Sequence, residues 1–84
     1  MHLMRTVPVP VEQIYVPMSL RKTLDAAKVE SLAESILEVG LSTPIQVRRD
    51  EKRYVLVSGL HRLEALKSLG EKTVPALIVQ ARQR

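Results

Sequence analysis

At 84 residues, 45 % hydrophobic and 26 % charged, the chain has the size and composition of one small globular domain and is too short for two. The absence of cysteine excludes disulfides, thiolate metal sites and cysteine nucleophiles, and two aromatic residues, Tyr15 and Tyr54, are too few for platforms that stack single-stranded bases. A formal charge of +4 suits an anionic partner and suits plain solubility equally well.

No apolar run approaches the ~20 residues of a membrane span, and Met1 to Arg5 lack the apolar centre of a signal peptide. The expectation is a cytoplasmic protein without a membrane partner, bacterial or archaeal by its size, and a single domain over residues 1–84.

In chain order, residues 4–9 read as a short edge strand, because Pro8 cannot donate to a central ladder. Val11 to Ile14 suggest one helical turn, and residues 15–24, with Pro17 and no clear period, read as a connecting loop. The clearest element follows. Val29, Leu32, Ala33, Ile36 and Leu37 recur at the spacing of one buried helical stripe, with Asp25 placed to cap the start and Gly40 to end it. Beyond Pro44, Ile45 to Arg48 alternate as a strand does, and a turn at Asp50-Glu51-Lys52 leads into a second strand over 53–57. Gly59 opens a second helix that runs to about Leu69 and closes at Gly70. Residues 73–79 form the last strand, and 80–84 a polar tail. Strand, helix, strand, strand, helix, strand predicts an α/β (α+β) fold, a small mixed β-sheet packed by two main helices.

Arg48, Arg49, Lys52 and Arg53 crowd the expected hairpin, interrupted by Asp50 and Glu51. The interruption favours a solvated turn over a nucleic-acid patch.

Two places carry chemistry. At about 100° per residue, Lys28, Ser31 and Ser35 fall within about 60° of one another along one border of the apolar stripe, a cation and two hydroxyls in line. The same residues also suit an ordinary solvated helix edge. The second place is Ser58-Gly59-Leu60-His61-Arg62. A strand feeding a glycine turn and a helix start presents free backbone N–H groups, which attract anions. His61 and Arg62 add positive charge where the helix dipole is already positive, an arrangement that makes sense with an anion present. The alternative is that both point to solvent or pair with Glu64.

At these residues the sequence resembles the ParB/sulfiredoxin superfamily over nearly its whole length. Leu24 to Leu32 look like the first-helix segment of sulfiredoxins, and Ser58 to Arg62 are similar to their Gly-Cys-His-Arg signature. Ser35-Ile36, Gly40-Leu41 and Pro44-Ile45-Gln46-Val47 look like a run shared with ParB N-terminal domains, and Leu69-Gly70 with Thr73-Val74-Pro75 continues the match. The resemblance implies a nucleotide, ATP or another NTP with or without Mg2+. It would be held by Lys28, Ser31 and Ser35 on the base and sugar side, and by Gly59, Leu60, His61 and Arg62 at the phosphates.

Leu60 stands where sulfiredoxins carry their nucleophilic cysteine, so that reaction is excluded. ParB domains usually carry Gly-Glu-Arg-Arg at this turn, bind CTP and continue into a helix-turn-helix segment, for which the sequence leaves no room after Arg84. Three readings stay open: a regulatory nucleotide-binding module; an NTPase or small-molecule kinase with a base among Glu12, Asp25 and Glu64; and a ParB-like partition or transcription-associated protein touching DNA non-specifically or a partner protein. The base preference and the oligomeric state are not encoded in any of these features.

Overall fold

A computed structural model of the chain describes residues 5–40 and 43–80. Met4 of the expected first strand, the Leu41-Ser42 pair and the tail beyond Gln80 lie outside the described residues. The elements in order are β1 (Thr6–Pro10), a 3-10 turn (Val11–Gln13), β2 (Ile14–Tyr15), α1 (Met18–Arg21), α2 (Ala26–Val39), β3 (Ile45–Asp50), β4 (Arg53–Ser58), α3 (Leu60–Ser68) and β5 (Thr73–Val79). The five strands form one sheet in the order β1-β5-β3-β4-β2. The β1/β5 and β3/β4 pairs are antiparallel, whereas β3/β5 and β2/β4 are parallel. The chain therefore has the expected α/β class, a mixed sheet packed by two main helices.

Alternation along the strands decides where the core sits. Val9 of β1, Ile45 and Val47 of β3, Leu56 of β4, and Val74 and Ala76 of β5 turn to one side and meet Leu60, Leu63 and Leu66 of α3. β1 lies at the sheet edge, where Pro8 and Pro10 remove no ladder bond that a neighbour on the far side would need. Between β3 and β4 the chain turns through Glu51 at φ +55°, the one non-glycine residue with positive φ among the described residues.

Residues 15–24 are not a plain loop. Tyr15 completes β2, and Pro17 starts the single turn of α1, its carbonyl accepting from the N–H groups of Leu20 and Arg21 at 3.0 and 3.1 Å. Two paired residues and one helical turn are too short to leave a period in the sequence.

In α2, the Asp25 carboxylate accepts from the N–H groups of Ala27 and Lys28 at 3.0 and 3.4 Å, and Gly40 ends the helix at φ +85°. Ala33 is buried, and Val29, Leu32 and Ile36 are half-buried. Leu37, expected in the same stripe, is 72 % exposed. The reason is geometric. α3 crosses the first half of α2, with His61 at Asp25 and Glu64, Lys67 and Ser68 around Ala26 and Val29, so the last turn of α2 runs on past it.

Candidate anion-binding site

β4 delivers the chain to Ser58, and Gly59 then takes the left-handed conformation at φ +103° and ψ 31°. Only glycine fits here. A Cβ at this position would lie 2.8 Å from Ile45 Cγ2, and the backbone angle itself disfavours any side chain. Gly59 is the N-cap of α3, and no side chain caps that end. Its carbonyl accepts from Leu63 N–H at 2.9 Å, which starts the helical ladder and leaves the N–H groups of the first turn without an intrahelical acceptor. No acidic residue stands in that turn.

Leu60 contributes its backbone alone. Its side chain is 6 % exposed and packs in the core, so a ligand at the turn can meet the Leu60 N–H but finds no reactive group.

His61 is half-buried, and its Nε2 accepts from the Asp25 N–H at 3.0 Å. An accepting Nε2 puts the ring proton on Nδ1 and leaves one N–H to donate elsewhere. Arg62 is also half-buried and has no ion-pair partner among the described residues. Glu64, which could have neutralised this turn, bonds Lys67 Nζ at 3.4 Å instead.

The same Asp25 links the turn to Lys28. Its N–H reaches His61 while its Oδ1 caps the Lys28 N–H, so the first turns of α2 and α3 meet through one residue. Lys28, Ser31 and Ser35 are all exposed along α2. Ser31 and Ser35 lie roughly 5 and 10 Å further along the helix axis than Lys28. Lys28, His61 and Arg62 are thus gathered at one end, whereas the two serines extend away from it.

Two grooves were not foreseen. One, about 390 Å3, is lined by Leu24, Ala26, Val29, Glu64, Lys67 and Ser68 in the seam between α2 and α3. A second, about 250 Å3, is lined by Ile14, Val16, Arg21, Leu24, Leu60, Glu64 and Lys67. Of the residues expected to hold the nucleotide only Leu60 lines either groove, and Glu64, a candidate base, lines both. Leu24, an apolar residue standing just before the Asp25 cap, is the one sequence signal that could have pointed to them.

The ParB N-terminal domain family matches residues 2–84. Over 62 residues the chain is 40 % identical to the probable chromosome-partitioning protein ParB of Campylobacter jejuni, which covers 74 % of this chain and 22 % of that protein. Over 68 residues it is 38 % identical to the chloroplastic/mitochondrial sulfiredoxin of Arabidopsis thaliana, 81 % of this chain and 54 % of that one. The crystal structure of the Arabidopsis sulfiredoxin superposes with a TM-score of 0.79 at 36 % identity, covering 90 % of this chain and 85 % of the other. The C-terminally truncated chromosome-partitioning protein ParB from Caulobacter crescentus, complexed with CTP-γ-S, superposes with a TM-score of 0.78 at 30 % identity, covering 93 % and 46 %. The chain thus spans about half or less of the curated relatives it matches. With its matched segment and its fold in agreement, the chain belongs to the ParB N-terminal domain family.

Proposed function

We propose that the chain is a nucleotide-binding module, with ATP or another NTP as ligand and a regulatory role rather than a reaction of its own. The observation that carries this reading is the 58–62 turn. A left-handed glycine, an uncapped helix start, the Arg62 guanidinium without a carboxylate partner among the described residues and the Nδ1–H donor of His61 converge there, beside Lys28. The phosphates would sit on the N–H groups of the first turn of α3, with Arg62 and the Nδ1–H of His61 beside them. Lys28 would reach the same phosphates or the sugar, and Ser31 and Ser35 would line the path toward the base. Mg2+ would enter with the nucleotide, since that ion takes many of its ligands from phosphate oxygens and water. The CTP-γ-S carried by the Caulobacter ParB supports a nucleotide as the anion.

A kinase or NTPase reading finds less support. Of its candidate bases, Asp25 is engaged as the cap of α2, Glu64 is paired with Lys67, and Glu12 stands exposed in the Val11–Gln13 turn. The sulfiredoxin reaction is closed to a chain without cysteine.

Calorimetric titration of ATP, ADP, CTP and GTP, with Mg2+, into the wild type and Arg62→Ala tests the proposal. One or more triphosphates should saturate the wild type below millimolar and bind Arg62→Ala at least about tenfold more weakly, as for the loss of a charge-assisted hydrogen bond. No binding below millimolar, or equal binding by the variant, would sink it.

A further inference from the structure

The Asp25 carboxylate caps α2, and the N–H of the same residue is left to find an acceptor of its own. A capping box supplies one from the third helical position, but that position holds Lys28, whose side chain has only donors. The acceptor comes instead from another helix, as Nε2 of His61 at 3.0 Å. Every other side-chain hydrogen bond among the described residues joins positions no more than three apart. This one alone ties distant segments.

The rest of the seam holds α2 lightly. Ala33 is the one buried residue of the helix, and a groove opens between α2 and α3 at Ala26, Val29 and Glu64. Leu24, one residue before the bond, is 47 % exposed and lines both grooves. Charged groups approach the ring from three helices. On α2 the Asp25 carboxylate is turned to the N–H groups of Ala27 and Lys28, and Lys28 itself is exposed in the same turn. On α3 Arg62 has no ion-pair partner among the described residues, and Glu64 bonds Lys67. On α1 Arg21 lines the groove beside Leu60. β3 and β4 bring Ile45 and Ser58 to the turn, and neither titrates.

An imidazole nitrogen can accept a hydrogen bond or carry a proton, but not both. We propose that His61 is a proton-operated latch. Neutral, it holds the start of α2 against α3; protonated, it releases the Asp25 N–H and offers both ring N–H groups to an anion at the 58–62 turn. The imidazolium meets an anion with a full charge and two donors where the neutral ring has one, so the anion selects the open form. That half of the device rests on the nucleotide reading above, and the protonation half does not. Leu24 goes with Asp25, so opening the latch reshapes the wall that the two grooves share.

Amide hydrogen exchange of the full chain, followed by NMR at about pH 7.5 and about pH 5.5, tests the latch across the range in which imidazoles ordinarily titrate and carboxylates and amines do not. Corrected for the intrinsic rate, protection of the Asp25 N–H should fall about fivefold at the lower pH, as for the loss of one neutral hydrogen bond. The Val29 N–H, which donates to the Asp25 carbonyl at 3.1 Å, should keep its protection. His61→Gln supplies an acceptor that does not titrate and should abolish the change at Asp25. His2→Gln, which removes the chain's other imidazole, should leave it in place. In calorimetry with ATP and Mg2+ in two buffers of unlike ionisation enthalpy, the wild type should take up as much as about one proton more than His61→Gln. The latch is overturned if Asp25 protection is the same at both pH values, falls equally in His61→Gln, or falls only together with that of Val29. Equal proton uptake by the two proteins would overturn its link to the anion. Absence of ATP binding would refute the nucleotide reading instead, and exchange at Asp25 would still decide the latch.

Discussion

The backbone N–H of Asp25 donates to Nε2 of His61 at 3.0 Å across 36 positions of sequence. That bond ties the start of α2 to the start of α3. It also commits one imidazole nitrogen, so His61 serves the architecture and the candidate site at once.

Removing the acceptor should therefore be visible without any ligand. His61→Ala is expected to lower stability by about 1 kcal/mol, the usual net worth of one hydrogen bond, and His61→Gln to retain part of it. Urea denaturation followed by circular dichroism measures both. Equal stability of all three proteins would mean that the contact is not made in solution.

Two glycines separate conformation from crowding. Gly59 and Gly70 both sit at positive φ, but a Cβ at Gly59 strikes Ile45 while one at Gly70 meets nothing within 4 Å. Gly70→Ala should cost about 1–2 kcal/mol from backbone strain alone. Gly59→Ala should cost roughly 1–3 kcal/mol more, because Ile45 or the turn must move. Comparable denaturation midpoints for the two variants would contradict this close approach.

Burial makes opposite predictions for two leucines. Leu60→Ala should lose about 2–4 kcal/mol, since the side chain is packed among Leu63, Leu66 and the strand residues. Leu37→Ala, at a site 72 % exposed, should stay within about 0.5 kcal/mol of wild type. A large loss at Leu37 would show that the end of α2 is covered in solution.

Asp25 also caps a helix. Asp25→Ala should cost about 1 kcal/mol and Asp25→Ser a few tenths, because serine restores an acceptor at the N-cap. Amide hydrogen exchange at Ala27 and Lys28, whose N–H groups the carboxylate holds, should accelerate in the alanine variant and stay slow in the serine one. Unchanged exchange in Asp25→Ala would refute the cap.

Much of this was legible because the signals are local. Asp25, the apolar stripe and Gly40 lie within one helix, and β5 falls on the expected residues 73–79. The hairpin and the glycine turn were readable for the same reason, although β3 runs two residues beyond the expected Arg48. Two of the departures depend on partners far along the chain. β2 exists because β4 lies beside it, and Leu37 is exposed because α3 crosses α2 too early to cover it. Leu60 reads as part of a ligand turn by motif, but the spacing Leu60, Leu63, Leu66 already marks the buried side of a helix. Lys28 and the turn belong to separate sequence patterns. The Asp25–His61 contact that joins them has no trace in either pattern.

The strand order has a consequence for how the protein is made. β5 lies between β1 and β3, so the first strand to be translated has its ladder partner in the last of the described strands. Thr6 pairs with Leu77, and until that stretch leaves the ribosome β1 has no neighbour to join. Helix α2 and the β3–β4 hairpin can form early, because their contacts are short in sequence. The sheet as a whole closes only with β5, which would make assembly of this domain a late, single event in synthesis rather than a gradual one.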